Sequence, residues 1–460
     1  MRVGSMRGAV AAAALWLGTA ALAGPTTTGR PAPAPSGGAA EPAESPAPTS
    51  PKPSEGPVTD ADDGGSETRM TGKAPPPLAR EPRPAELTFE LPDPKNYDEY
   101  AELPYPHEVY LGAKALHLDP MFVHAVREGL ELLYLRRYNE ARDHFARVEE
   151  TFPGTGVRAV ADTLVWQALM LENFDYRYDK QYWVSSKQAR AELEAALAKP
   201  GNEGWERLAS AAIVGIESIH TMRQGSYLSA LQLAFQAMEH IEKCREAAPE
   251  FVDLKLADGL YNYWRSVVTM NSKVLPDFGD HRVEGIEQMT VVEQTGLFMK
   301  PMASFALVFS WLEENDMKRA SASCTQNRVK YPDNIVNNLT CGMVYTESRR
   351  YDDALAVYDR VLQVDPKNDR VHYLKGYTLL RKGDAAGAKT ELERYLASTH
   401  LEDYQKSYAQ MRMGQALARL EQYAAAVDAY KAAIKIDGNK QAKKMLDKLE
   451  ERKKQKKIDW

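Results

Sequence analysis

"CGMVYTESRRYDDALAVYDRVLQVDP" runs from Cys341 to Pro366. It sets a small residue, Gly342, twelve places before another, Ala354, and it closes on a proline. A shift of 34 residues forward reaches Gly376 and Ala388, and a shift of 34 back reaches Val308, Ala320 and Pro332. A further copy has Gly414 and Ala426, after a four-residue insertion near Thr399–Asp403. Near the front, Gly129, Ala141, Phe145 and Pro153 repeat the same intervals. Small side chains at such fixed intervals mark places where two antiparallel helices cross, because a larger side chain would push the pair apart. Tyr345, Tyr351 and Tyr358 fill the space around that crossing. Pro366 cannot continue the second helix and helps to end it. Asp365 before it and Lys367-Asn368 after it supply turn chemistry.

This pattern resembles the tetratricopeptide repeat (TPR) family, in which a small residue, Tyr or Leu, Ala-x-x-x-aromatic and Pro follow one another with period 34. Five stretches match, three of them in strict register. The resemblance implies an all-α fold, a TPR-type α-solenoid whose helix pairs stack into a right-handed superhelix. A disordered N-terminal segment is expected to precede it.

The flanks follow from composition. The 460 residues are 44% hydrophobic and 27% charged, enough for one large domain or two ordinary ones. A net charge of -6 gives no basic field, which argues against a general nucleic-acid binder. Residues 1–23 read as a signal peptide: Arg2 and Arg7, an apolar run from Ala9, and Ala21-Leu22-Ala23 as a cleavage site. The run is short for a membrane span, and no other segment is apolar enough to be one. Its Ala, Arg and Pro bias looks bacterial, so the expected location is periplasmic or outer-membrane associated, or extracellular. Residues 24–90 are Pro-, Ala- and Ser-rich and read as an extended tether.

Residues 91–156 hold an N-terminal segment and the first repeat, and 157–300 read as degenerate TPR-like pairs with inserts. Val160–Leu171 and Ser185–Ala198 form one pair around the aromatic insertion ENFDYRYDKQYW. A second pair uses Ala230 and Ala234 as its small residues, and a third uses Gly259 and Gly285, with the loop NSKVLPDFGDH between its helices. Residues 301–440 are the C-terminal array. Residues 441–460 read as a basic capping helix with Met445, Leu446 and Leu449 on its apolar side. Its run Arg452–Lys457 suits a solvated cap, or peripheral association with an acidic surface.

The resemblance also implies where partners touch. Positions five and nine of each first helix point to the concave surface. Here they are Phe305 and Phe309, Leu339 and Met343, Tyr373 and Tyr377, and Met411 with Gln415. An aromatic and Met ladder of this kind suits a partner's apolar side chains. It equally suits the chain's own inserts, its cap, or the segment Leu87–Tyr110. The carboxylate clamp of chaperone-binding TPRs is broken, since Phe305, Phe309, Thr340, Arg370 and Leu374 stand at its positions and only Arg370 carries the needed charge.

No nucleophile motif, metal motif or phosphate loop is present, so no catalytic residue, cofactor or metal is expected. The alternative is an enzyme or ligand-binding site in the middle section. Asp277, Asp280, His281 and Glu284 are its best cluster, although Asp280 and Glu284 also suit a helix start. Its candidate walls are Tyr178, Tyr182, Trp183, Tyr261, Tyr263, Trp264, Arg265 and Asp277. Cys324 and Cys341 fall on neighbouring helices and suit either a disulfide or two buried thiols. The reading as a whole is a non-catalytic scaffold or adaptor for other envelope proteins or peptides. The resemblance leaves secretion, pilus, gliding and outer-membrane assembly undivided.

Overall fold

The computed structural model describes residues 75–83, 104–199, 203–224, 226–270, 279–455 and 458–459. The expected signal peptide and most of the expected tether lie outside the described residues. Among the described residues there are 18 helices and no strand. The first nine are α1 (His107–Leu116), α2 (Pro120–Tyr134), α3 (Tyr138–Thr151), α4 (Val157–Asn173), α5 (Asp179–Leu197), α6 (Gly204–Arg223), α7 (Tyr227–Ala247), α8 (Leu254–Met270) and α9 (Arg282–Thr295). They are followed by α10 (Lys300–Glu313), α11 (Met317–Lys330), α12 (Ile335–Glu347), α13 (Tyr351–Val364), α14 (Asp369–Lys382), α15 (Ala385–Leu396), α16 (Asp403–Arg419), α17 (Tyr423–Asp437) and α18 (Lys440–Lys454). Each helix packs on the one before and the one after, as a stack of two-helix units requires. No helix among the described residues is long and apolar enough to cross a membrane.

The small residues sit at the crossings. A Cβ placed on Gly342 would run into the Tyr358 ring, and one on Gly129 would run into Phe145. At Gly414 it would meet Tyr430, and at Gly376 it would stand 2.8 Å from Leu392 Cγ. In every case the obstructing side chain lies sixteen residues on, one turn past the repeat alanine. Ala141, Ala320, Ala354, Ala388 and Ala426 are all fully buried. Gly259 and Gly285 face each other between α8 and α9, where a Cβ on Gly285 would lie 2.6 Å from the Gly259 carbonyl oxygen.

The turn inside each repeat has its own signature. Arg136, Asn315, Arg349, Gly383 and Glu421 each lie five residues before a repeat alanine, and all have left-handed backbone, with φ of 62°, 61°, 58°, 99° and 61°. In each case the next amide reaches back to a carbonyl five residues earlier, as in Arg350 N to Tyr345 O at 2.8 Å. This is the Schellman closure of a helix C-terminus.

Three details depart from, or decide between, the sequence-based expectations. α5 begins at Asp179, so the second half of the expected insertion is helix. Residues 75–83, expected within the tether, lie against the array. Leu78 packs on the main core, Arg80 pairs bidentately with Glu287 at 2.5 and 2.8 Å, and Glu81 pairs with Arg319. The charged residues of PLAREPR supply what the surrounding Pro-rich stretch lacks. Cys324 and Cys341 form a disulfide between α11 and α12, with Cα atoms 5.4 Å apart. Cys244 stays a free buried thiol, and burial pushes it up to about 11.

Candidate functional site

The concave face is where the fold brings the expected partner-binding residues, and the chain itself occupies it. α4 lies against α12 and α14 from inside the curve. The reason is visible in its sequence. α4 buries Val157, Ala159, Val160, Ala161, Thr163, Val165, Gln167 and Met170, residues on nearly every side of the helix. A helix apolar all round has to be enclosed.

The enclosure is fastened at the helix ends by residues that do two jobs. Asn334 caps α12 by accepting the Asn337 amide at 2.9 Å, while its Nδ2 donates to the Tyr134 carbonyl at the end of α2, also at 2.9 Å. One repeat later, Asn368 caps α14 and its Nδ2 donates to the Glu172 carbonyl at the end of α4, 3.0 Å away. One repeat later again, Gln405 closes a capping box at the start of α16, and its Nε2 reaches the Phe174 carbonyl at 3.1 Å. The last carbonyls of a helix have no partner within it. Here the N-terminal half supplies the carbonyls and the array supplies the donors.

Side chains reinforce this seam. Glu172 is almost fully buried, pairs with Arg136 at 2.8 Å and accepts the Tyr138 hydroxyl at 2.7 Å. Burial raises its pKa even so. Phe174 has left-handed backbone and is buried, with the guanidinium of Arg223 on its ring at 4.3 Å and that of Arg370 also at 4.3 Å. Burial pushes Arg370 down to about 10. At the other end of the seam, Tyr134 and Phe305 stack edge to face at 6.0 Å, and Tyr331 joins both rings.

Six of the eight expected groove residues are therefore buried: Phe309, Leu339, Met343, Arg370, Tyr377 and Met411. Phe305 and Tyr373 are half-buried. Phe305 and Phe309 line a cavity shared with residues of α2 and α4, and Phe305 stacks on Tyr134 of α2. On α12 the inward stripe is Val336, Asn337 and Thr340, while Leu339 and Met343 belong to the core between repeats. Tyr377 is held by Glu347, with Arg412 over its ring at 4.7 Å. The filler among the described residues is α4 and the end of α2; most of the segment Leu87–Tyr110 lies outside the described residues.

Of the alternative cluster in the middle, the described members are engaged with near neighbours in sequence. Asp277 lies outside the described residues. Asp280 accepts the Arg282 amide and guanidinium, and that hydrogen bonding lowers its pKa. Arg282 in turn pairs with Glu314 at 2.7 Å. His281 and Glu284 bond to one another at 3.0 Å on the surface. The candidate wall residues divide. Tyr178, Tyr182 and Trp183 gather with Trp166 and His220, whereas Tyr263 and Trp264 lie in the main core and Arg265 covers Tyr261. No group of three or more His, Cys, Asp or Glu side chains among the described residues is placed to hold a metal ion.

Stacked helix pairs with glycines at several of their crossings define an α-solenoid. Tetratricopeptide repeat family models match residues 345–411 and 407–440. Over that stretch the chain carries tetratricopeptide repeats. No curated protein matches the sequence. Among solved structures, a tetratricopeptide repeat protein from Parabacteroides merdae ATCC 43184 is similar at 15% identity, with 62% of this chain and 98% of that one covered and a TM-score of 0.37. Yeast Tom70 is similar at 12% identity, with 75% and 85% covered and a TM-score of 0.39.

Proposed function

We propose that the chain is a non-catalytic scaffold of the bacterial cell envelope that holds other proteins together. The observation that carries this is the repeat array over 345–440, an architecture that presents broad surface and assembles no reactive constellation. Its own α4 fills the concave face, so partner contacts fall to the outer faces and to the end of α18, where Arg452 and Lys454 are exposed. Export is supported by the sequence at 1–23 and by the Cys324–Cys341 bond, since structural disulfides persist in oxidising compartments.

The test is crosslinking in living cells with photoreactive residues at Val184 and Val329, which are 61% and 80% exposed. The scaffold reading expects discrete protein partners that bind the purified chain at a fixed ratio. Recovery of the chain alone from both positions overturns it. Intact mass before and after reductant, on protein taken from the envelope fraction, checks export. Two free thiols at Cys324 and Cys341 would remove that support.

A further inference from the structure

Between α2, α4, α8, α10 and α12 lies a partly open cavity of 190 Å³. Leu130, Leu133, Leu171, Ile216, Met302 and Phe309 are among the residues of its apolar wall, and none of its lining side chains is charged. Tyr134, Tyr138, Asn334 and Thr340 also line it, and three further polar side chains, each from a different helix, hold buried atoms without a hydrogen-bond partner. Gln167 on α4 is 3% exposed, and neither its Oε1 nor its Nε2 has a hydrogen-bond partner. Asn337 on α12 is 3% exposed with its Nδ2 unpartnered, and Trp264 on α8 is 1% exposed with its indole N–H unpartnered. A buried polar group left without a partner costs about 1–3 kcal/mol. Three of them around one void is an arrangement that packing alone does not favour.

We propose that this cavity binds a small neutral carboxamide with an apolar body. The head follows from the inventory of groups. Gln167 Nε2, Asn337 Nδ2 and Trp264 Nε1 are donors, and Gln167 Oε1 is an acceptor. A carboxamide offers an oxygen to the donors and an N–H to the acceptor. A charged head is disfavoured because no lining cation or anion would neutralise it. The size follows from volume. An engineered cavity of about 150 Å³ accepts benzene, so this one suits a ring with one small substituent, on the order of nine non-hydrogen atoms. The body lies against leucine and phenylalanine side chains. This site is independent of the scaffold reading and goes beyond it, so failure of one leaves the other standing.

The experiment is calorimetric titration and thermal unfolding of the full chain with benzamide, with benzoate and ethylbenzene as comparisons. Benzamide is expected to bind saturably at one site and, about tenfold above its Kd, to raise Tm by about 2 °C. Benzoate is expected not to bind, and ethylbenzene to bind at least tenfold more weakly than benzamide. Gln167→Leu should keep the Tm of the parent chain, since it removes an unpartnered group, and should lose at least tenfold in benzamide affinity. Ala168→Leu, which narrows the same cavity, is the second variant and should exclude benzamide while folding. Absence of benzamide binding to the parent chain overturns the proposal. So does a clear loss of Tm in Gln167→Leu, which would show the carboxamide satisfied by buried water only. Equal binding of all three probes would show a greasy void without a head group site, and would overturn it as well.

Discussion

Gly342 carries no side chain because the Tyr358 ring occupies the place of one. Gly342→Leu is therefore expected to overpack the α12–α13 crossing and cost about 1–3 kcal/mol, read as a lower denaturant midpoint at unchanged slope. An unchanged midpoint would contradict the repeat register. This residue was legible from the 34-residue spacing read together with the resemblance to the tetratricopeptide pattern. Asn368 was legible only in half. Its place after Pro366 marked a turn, but nothing local says that the Nδ2 of a capping residue serves a carbonyl 196 residues away. Asn368→Ser separates the two jobs, because serine caps a helix about as well as asparagine but is too short to reach the Glu172 carbonyl. The expected loss is about 1 kcal/mol from the bridging bond. Asn368→Ala should lose that and the cap, about 1 kcal/mol more. Equal stability of serine variant and parent would mean that the seam contributes nothing at this point. Gln167 was invisible for a related reason, since a lone glutamine in VADTLVWQALML reads as a tolerated exception until its surroundings are known.

At the scale of elements, the turn between paired helices is strained in a graded way. The left-handed conformation costs most residues about 1–2 kcal/mol, and glycine almost nothing. Arg349 is exposed and left-handed at φ 58°, and Gly383 holds the same place one repeat later at φ 99°. Arg349→Gly is thus expected to raise stability by up to about 1 kcal/mol, the gain being trimmed by glycine's larger unfolded-state entropy. Gly383→Ala should lower it by about 1 kcal/mol. Shifts of the same sign in the two variants would refute the shared turn. A second element-scale prediction concerns residues 75–83. Hydrogen bonding from Arg80 holds the Glu287 carboxyl down at about 2, against its ordinary value of 4.5, and the Arg83 amide donates to the same carboxylate at 2.8 Å. A depressed carboxylate contributes fully above its ordinary value, and that contribution is lost as pH falls through the depressed one. Docking of this segment should be constant from neutral pH down to the ordinary value, then weaken toward pH 2. The reporter is the Arg83 amide resonance in arginine-labelled protein. It should titrate near 2, and Glu287→Gln should abolish that titration. A midpoint near the ordinary carboxylate value would show the pair broken in solution. The helices themselves were legible because apolar spacing sets them locally. The docked segment was not, because one leucine and three charges do not stand out against a proline-rich background.

For the whole molecule, the closure of the curve is the feature that period and spacing leave unwritten. A 34-residue repeat encodes contacts between neighbours, whereas Asn334, Asn368 and Gln405 reach partners 200, 196 and 231 residues away. The one sequence signal for it was the all-round apolar character of α4, which asks for enclosure without naming the encloser. The consequence is thermodynamic. In an open solenoid, stability is close to a sum of units and nearest-neighbour interfaces, so distant repeats open separately. Here α4 is shared between the N-terminal half and the array, and neither α12 nor α14 can expose its inner side without losing it. Native-state hydrogen exchange across a denaturant series is therefore expected to give α4, α12 and α14 one common opening free energy. A variant combining Asn334→Ser, Asn368→Ser and Gln405→Leu keeps the asparagine caps as serines and removes all three bridging donors. In it, α12 and α14 should open at a lower free energy than α6 and α7, whose most extensive packing is with each other. Separate opening energies for α4, α12 and α14 in the parent chain would mean that the inner helix is a loose guest rather than the member that ties the two halves of the solenoid together.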